Sequence, residues 1–280
     1  KSDAVLAEIR VIMLSALDQE QGVARCIEAG ADDFIAKPFN SVFLRARLGA
    51  CLEKKLLRDR ERQFLSEIQM EREKSERLLL NVLPHSIAGR LKLGETMIAD
   101  HFDCATVLFA DLVGFTPLSR TMAPLALVEL LNDIFTRFDE LAAGLGLEKI
   151  KTIGDAYMVV AGVPVPRADH AHAAVALALR MNAALRDINA ARGLDLHLRT
   201  GLHSGRLAAG IIGRNKFSYD LWGDTVNTAS RMESSAPLDA IHLSAATAAL
   251  LDRAFPLICR GMVTIKGIGE METFVLGDNR

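Results

Sequence analysis

The sequence predicts an α+β chain with a long helix ahead of its main domain, and three observations carry that expectation. From Cys104 onward, short β-type apolar runs alternate with longer stretches of helical period. The chain closes on two consecutive strand patterns around Val263 to Val275, which fits layered α+β construction better than a doubly wound parallel sheet. Between Ser41 and Val82 there is no proline and no strand signal, while charge rises through RDRERQFLSEIQMEREKSER. The length, 280 residues, suits one full domain plus a smaller piece.

In chain order, residues 9–14 (IRVIML) read as a short strand ending at Ser15, 19–29 as a helix closed by Gly30, and Asp33 to Ala36 as a second short strand running into Lys37-Pro38-Phe39. Leu57, Glu61, Phe64, Ile68, Glu71, Ser75, Leu78 and Val82 follow the alternating three and four spacing of a heptad seam, with three polar positions among the eight. That pattern reads as a marginal parallel coiled coil over residues 51–83 or as a solvated helix. Residues 84–103 form a linker, with a break at Pro84 and a short amphipathic helix. CATVLFA, from Cys104, is a buried-strand run. Pro124 to Leu141 places Leu127, Leu130, Leu131, Ile134, Phe138 and Leu141 on one helical face. EKIKTIGDAYMVVAG reads as two strands folded about Gly154-Asp155. Then come a helix over Ala168 to Ala191, a strand over Leu196 to His203, a helix over Thr225 to Ser234, a strand at Ile241 to Ser244, a helix over Ala245 to Leu251 and the closing strands.

Composition excludes several function classes. Half the residues are apolar, 24% are charged and the net charge is −2, so the basic surplus of a nucleic-acid binder is missing. No apolar run approaches a membrane span and no secretory leader pattern is present, so a cytoplasmic protein is expected. Cys26, Cys51, Cys104 and Cys259 lack paired spacing and are expected to be reduced structural thiols. His101, His170, His172, His197, His203 and His242 are scattered without metal-ligand spacing, and none is assigned a role.

Chemistry concentrates in a few short motifs. In FADLVGFT an apolar strand ends at Asp111 ahead of a glycine turn, where a carboxylate can hold Mg²⁺ and free N–H groups can face phosphate. Asp155 sits at the tip of the KTIGDAY hairpin. Singly, each aspartate reads more often as a turn residue; two that converge can hold a pair of divalent cations. Asn227 and Arg231, four apart, share one face of a helix whose start Asp224 is placed to cap. Trp222 is expected to pack in the core beside Asp220.

FADLVGFT, EKIKTIGDAYM, LRTGLHSG and YDLWGDTVNTASRME, in this order, resemble the catalytic domain of class III nucleotidyl cyclases over about Leu78 to Leu276. The resemblance implies a ferredoxin-like βαββαβ core with extra strands over residues 104–280, and a head-to-tail homodimer with nucleotide between the subunits. It implies two divalent ions, Mg²⁺ or Mn²⁺, on Asp111, Asp155 and the carbonyl of Leu112, and a phosphate-facing loop at Gly114, Phe115 and Thr116. Arg199 and Lys266 match triphosphate contacts, Asn227 the residue that orients the ribose, and Arg231 the one that stabilises charge at the α-phosphate. Lys151 and Asp220 match the purine-reading pair. An ammonium donates to adenine N1 and a carboxylate accepts from its N6 amine, so ATP is the expected substrate. The guanylyl members usually carry Glu and Cys there. The alternatives are a guanylyl cyclase, a catalytically silent cyclase-fold module and a dimerising adaptor.

VIMLSA…GADDFIAKPF resembles the second half of a response-regulator receiver, with Ser15 and Lys37 at its signal-sensing positions. That resemblance implies a cis Lys37-Pro38 bond, a partial α/β receiver over residues 1–50 whose phospho-accepting aspartate lies upstream of Lys1, and a phosphorelay or sensor partner.

Overall fold

The computed structural model describes residues 9–16, 24–26, 28–213, 218–252 and 255–277. The chain divides into two compact units, Lys1–Leu78 and Leu79–Arg280. In the first, β1 (Ile12–Ser15) and β2 (Asp33–Ala36) pair in parallel, with Ile35 buried. Asp32 fixes the start of β1 by accepting from the Val11 N–H at 2.9 Å. The Lys37-Pro38 peptide is cis. Most of the helix expected over 19–29 lies outside the described residues; 24–26 and 28 are helical.

Helix α1 (Ser41–Leu80) runs unbroken through position 50, where the sequence suggested a boundary, and buries no side chain. Leu57, Phe64, Ile68 and Leu78 of the expected seam are all exposed. The seam stops at Leu78. Val82 lies in a turn, because the Val82 and Leu83 N–H groups both close back onto the Leu79 carbonyl, at 3.1 and 3.0 Å.

The second unit begins with α2 (His85–Lys92) behind Pro84, which presets the entry into its first turn. The main sheet follows: β3 (Ala99–Val113), β4 (Glu148–Ile153), β5 (Ala156–Ala161), β6 (His197–Ile212), β7 (Ser218–Trp222), β8 (Ile241–Ser244), β9 (Leu257–Ile265) and β10 (Gly269–Leu276). Its order is β4-β5-β3-β6-β8-β10-β9, with β7 added to β6. Within it, β3, β4, β5 and β6 are wholly antiparallel and have the ferredoxin-like arrangement. Helices α3 (Phe115–Thr121), α4 (Pro124–Gly144), α5 (His170–Arg192), α6 (Asp224–Ser234) and α7 (Ala245–Ala248) complete the unit. No helix among the described residues is long and apolar enough to cross a membrane.

Alternation along β3 builds two cores. Leu108, Ala110 and Leu112 join Leu130, Ile134 and Phe138 of α4 and the buried face of α5. Ala105, Val107 and Phe109 join Met158, Leu207, Leu221, Ala229 and Ile87 on the opposite face. Asp111 has the parity of that second face. β3 begins five residues before the expected Cys104, because polar Asp100, His101 and Asp103 obscure its apolar pattern.

β6 runs nine residues past its expected end at His203 for a related reason. Its glycines are crossing points rather than turns. A Cβ on Gly201 would lie 1.9 Å from the Glu233 nitrogen, one on Gly205 2.7 Å from Thr225 Oγ1, and one on Gly210 2.2 Å from the Ile98 carbonyl oxygen. The first two let α6 lie directly on the sheet. We expect Gly201→Ala to push α6 outward and cost about 3 kcal/mol, lowering the calorimetric Tm by roughly 6–12 °C.

Candidate functional site

Register brings the acidic residues together. Asp111 of β3 faces Arg199 of β6 on one side and Ala156 of β5 on the other. Asp155, next to Ala156, occupies the two-residue hairpin loop with Gly154, whose φ of 63° suits glycine. The Leu112 N–H donates to the Asp155 carbonyl at 3.3 Å, tying the hairpin tip to the end of β3. Arg199 Nη2 donates to Asp111 Oδ2 at 2.7 Å.

Glu233, in the last turn of α6, comes into the same site and was not singled out from the sequence. Its Oε1 lies 3.5 Å from Arg199 Nε, close enough for charge pairing, yet neither buried atom has a hydrogen-bond partner. Burial is the main cause holding the Glu233 carboxyl above its ordinary range, and Asp111 adds to it. Asp155 is also raised, first by burial and then by Asp111, against its own backbone N–H and Arg199. A carboxylate in a helix's last turn reads as solvated surface, so only the contact with Gly201 could have exposed its role.

Three carboxylates around one guanidinium leave excess negative charge and a buried acceptor unsatisfied, a donor set that fits hard divalent cations. Among the described residues no group of three or more His, Cys, Asp or Glu is arranged to hold a metal ion by itself. Asp111, Asp155 and the Leu112 carbonyl would thus be completed by oxygen donors from outside the protein. Gly114, at φ 92°, turns the chain from β3 into α3 and leaves Phe115 half-buried and Thr116 exposed at that helix's start.

The other expected residues lie apart from this cluster. Lys151 of β4 donates from Nζ to Asp220 Oδ2 of β7, forming a close ion pair between the two strands. Asp220 belongs to a strand, β7, that sequence patterning missed, and its Oδ1 accepts from the Leu221 N–H at 2.8 Å. Trp222, expected in the core, is 36% exposed because it ends β7 on the outward side. Asn227 and Arg231 are exposed on α6, with no side-chain partner among the described residues. Gly223 occupies the N-cap position of α6 and Asp224 is the first helical residue, so its carboxylate meets the helix dipole instead of capping. Lys266 is exposed in the β9–β10 turn at the far end of the sheet.

The family described as the adenylate and guanylate cyclase catalytic domain matches residues 97–278. The chain belongs to that family. The cyclase domain is 46% identical over 210 residues to an adenylate cyclase of Mycobacterium tuberculosis, covering 75% of this chain and 47% of that protein. The chain thus spans about half the length of that curated relative. Among solved structures, the guanylate cyclase domain of RhGC from Catenaria anguillulae, in complex with GTP, is 34% identical with a TM-score of 0.62, covering 65% of this chain and all of that one. The adenylyl cyclase CyaB from P. aeruginosa is 29% identical with a TM-score of 0.61, covering 65% and 97%.

Raised pKa values at Asp155 and Glu233 mean that the cation-free fold holds protons more tightly than the unfolded chain. Their ionisation therefore costs stability as pH rises from the ordinary carboxylate range through the raised values. Bound Mn²⁺ should reverse that trend. In calorimetric titrations of the full chain, Mn²⁺ affinity should weaken on acidification, beginning above the ordinary carboxylate range, and Asp155→Asn should weaken it by at least about tenfold.

Proposed function

We propose that the chain is an adenylate cyclase that converts ATP to 3′,5′-cyclic AMP and pyrophosphate, at a cleft shared by two copies, in intracellular signalling. The observation that carries the substrate assignment is the Lys151–Asp220 pair. It sets an ammonium donor beside a carboxylate acceptor, the pattern that adenine N1 and N6 complement and that guanine reverses. The first-named relative above is an adenylate cyclase.

Each residue has a task set by its chemistry. Lys151 and Asp220 hold the base, and Asn227 orients the ribose so that its 3′-hydroxyl is in line with the α-phosphorus. Arg231 offers a permanently charged planar donor to the negative charge that grows on the α-phosphate oxygens. Arg199, Lys266 and the backbone N–H groups of Gly114, Phe115 and Thr116 hold the leaving pyrophosphate. Two Mg²⁺ or Mn²⁺ ions on Asp111, Asp155 and the Leu112 carbonyl would lower the pKa of the 3′-hydroxyl and neutralise the triphosphate. The exposed, unpartnered Asn227 and Arg231 support shared construction, because they face solvent instead of the same chain's carboxylates. Residues 104–280 then form the catalytic domain, 84–103 its linker, 51–83 a coiled coil joining the copies, and 1–50 a partial receiver open to a phosphorelay or sensor partner.

Two measurements decide this reading. Product analysis with ATP and GTP should give cyclic AMP predominantly, and Lys151→Glu with Asp220→Cys should shift the preference toward GTP; dominant cyclic GMP from the unaltered chain would overturn the substrate assignment. Mixing an Asp155→Asn chain with an Arg231→Ala chain, each inactive alone, should restore one working cleft per mixed dimer, about half the normal site number. Mixed dimers that form and stay inactive would exclude a shared site.

A further inference from the structure

A second cluster of reactive side chains lies on the other face of the sheet. Opposite β6, Phe102 pairs with Leu207 and Ala105 with Gly205, so Asp103 and Cys104 together oppose Arg206 alone. The bulge puts Phe102 on the same face as Ala105, while Cys104, two residues before Thr106, shares the Thr106 side and faces His170 at the start of α5. Cys104 is exposed and lines a cavity of about 620 Å³ with Phe102, Pro164, Arg167 and His170. Its Sγ lies 3.1 Å from His170 Nε2. The His170 ring is buried, and its Nδ1 lies 2.6 Å from Thr106 Oγ1.

The hydrogen bonds beyond His170 give the dyad a direction. Ser204 Oγ donates to Thr247 Oγ1 at 3.0 Å, so its lone pairs face Thr106, 2.7 Å away, and the Thr106 proton is committed to Ser204. Thr106 therefore accepts from His170 Nδ1–H. The other ring nitrogen, Nε2, carries no proton and accepts from the Cys104 thiol. Burial lowers the His170 pKa and keeps the ring in this uncharged, accepting form. The cavity's one arginine is already engaged: Arg167 grips Asp169 through two bonds of 2.7 and 2.8 Å and donates to the Leu145 carbonyl at 2.7 Å. Asp103 beside the thiol is exposed.

We infer that Cys104 and His170 form a thiol-modification site that takes small neutral or cationic disulfides. His170 Nε2 accepts the thiol proton, the thiolate attacks one sulfur of the disulfide, the S–S bond breaks, and the departing thiolate recovers the proton from the imidazolium. The products are a mixed disulfide at Cys104 and one free thiol, with no further oxidant. Such a site answers to the thiol–disulfide balance around the protein and lies outside the residues assigned to cyclisation. Cys259 is a comparison within the same molecule: it is also exposed, but its thiol lies 3.7 Å from the Glu272 carboxylate instead of an imidazole.

The test uses the full chain, with cystamine, hydroxyethyl disulfide and the dianionic 5,5′-dithiobis(2-nitrobenzoate) as probes and peptide mass mapping as the readout. Cys104 should be modified by the first two at least about tenfold faster than Cys259, and by the dianion with no such preference. Equal rates at Cys104 and Cys259 in the unaltered chain would overturn the site. His170→Gln should remove the advantage of Cys104 while cyclase turnover persists. If that variant does not fold, Thr106→Val, which keeps the shape but removes the Nδ1 acceptor, should slow Cys104 in the same way. An unchanged Cys104 rate in a folded variant of either kind would equally refute the dyad, and a Cys104-over-Cys259 advantage as large with the dianion as with cystamine would refute the charge selection.

Discussion

The candidate site depends on the close approach of α6 to β6 at Gly201. With no side chain there, the Met232–Glu233 backbone lies against the strand, and Glu233 reaches the guanidinium that also holds Asp111. That single contact fixes the height of α6 over the sheet and the direction in which its exposed residues point. Arg199 is consequently shared between two elements far apart in sequence. A helix one side chain further out would leave Glu233 short of Arg199.

Arg199 also explains how so much acid is tolerated at one place. Asp111, Asp155 and Glu233 would repel one another in a partly buried setting, and the carboxyls of the last two are held above their ordinary range first by burial and then by Asp111. The guanidinium relieves part of that repulsion. In the proposed function, a nucleotide that brings cations would relieve the rest.

Much of this was legible in the sequence where periodicity and chemistry coincided. The apolar run from Cys104 places a buried strand ending at Asp111, and KTIGDAY places Asp155 at a hairpin tip, but singly each reads as a turn residue, and it is the register of β3 with β5 that brings them together. The pattern failed where residues act through backbone proximity. The sequence pattern ends β6 at His203, yet the strand continues through Gly205 and Gly210, the places where α6 and the chain at Ile98 cross it. The polar Ser218, Tyr219 and Asp220 hid β7, and Trp222, bulky and apolar, lies outside the core because it falls at the outward end of that strand. The heptad spacing carried on to Val82, past the point where the Leu79 carbonyl closes the helix.

The second core links these parts. Phe109, two residues before Asp111, and Met158, paired with Lys151, pack in the same cluster as Leu83 and Ile87, with Leu79 and Leu80 against its edge. The segment that leads the chain into the domain is thus seated on the core that Phe109, near Asp111, and Met158, beside Lys151, share. Close-packed interiors transmit displacement instead of absorbing it, so a turn or shift of the entering segment is felt at Phe109 and Met158 together. If two copies share a cleft as proposed, the way the two entering segments are held would set how the copies meet.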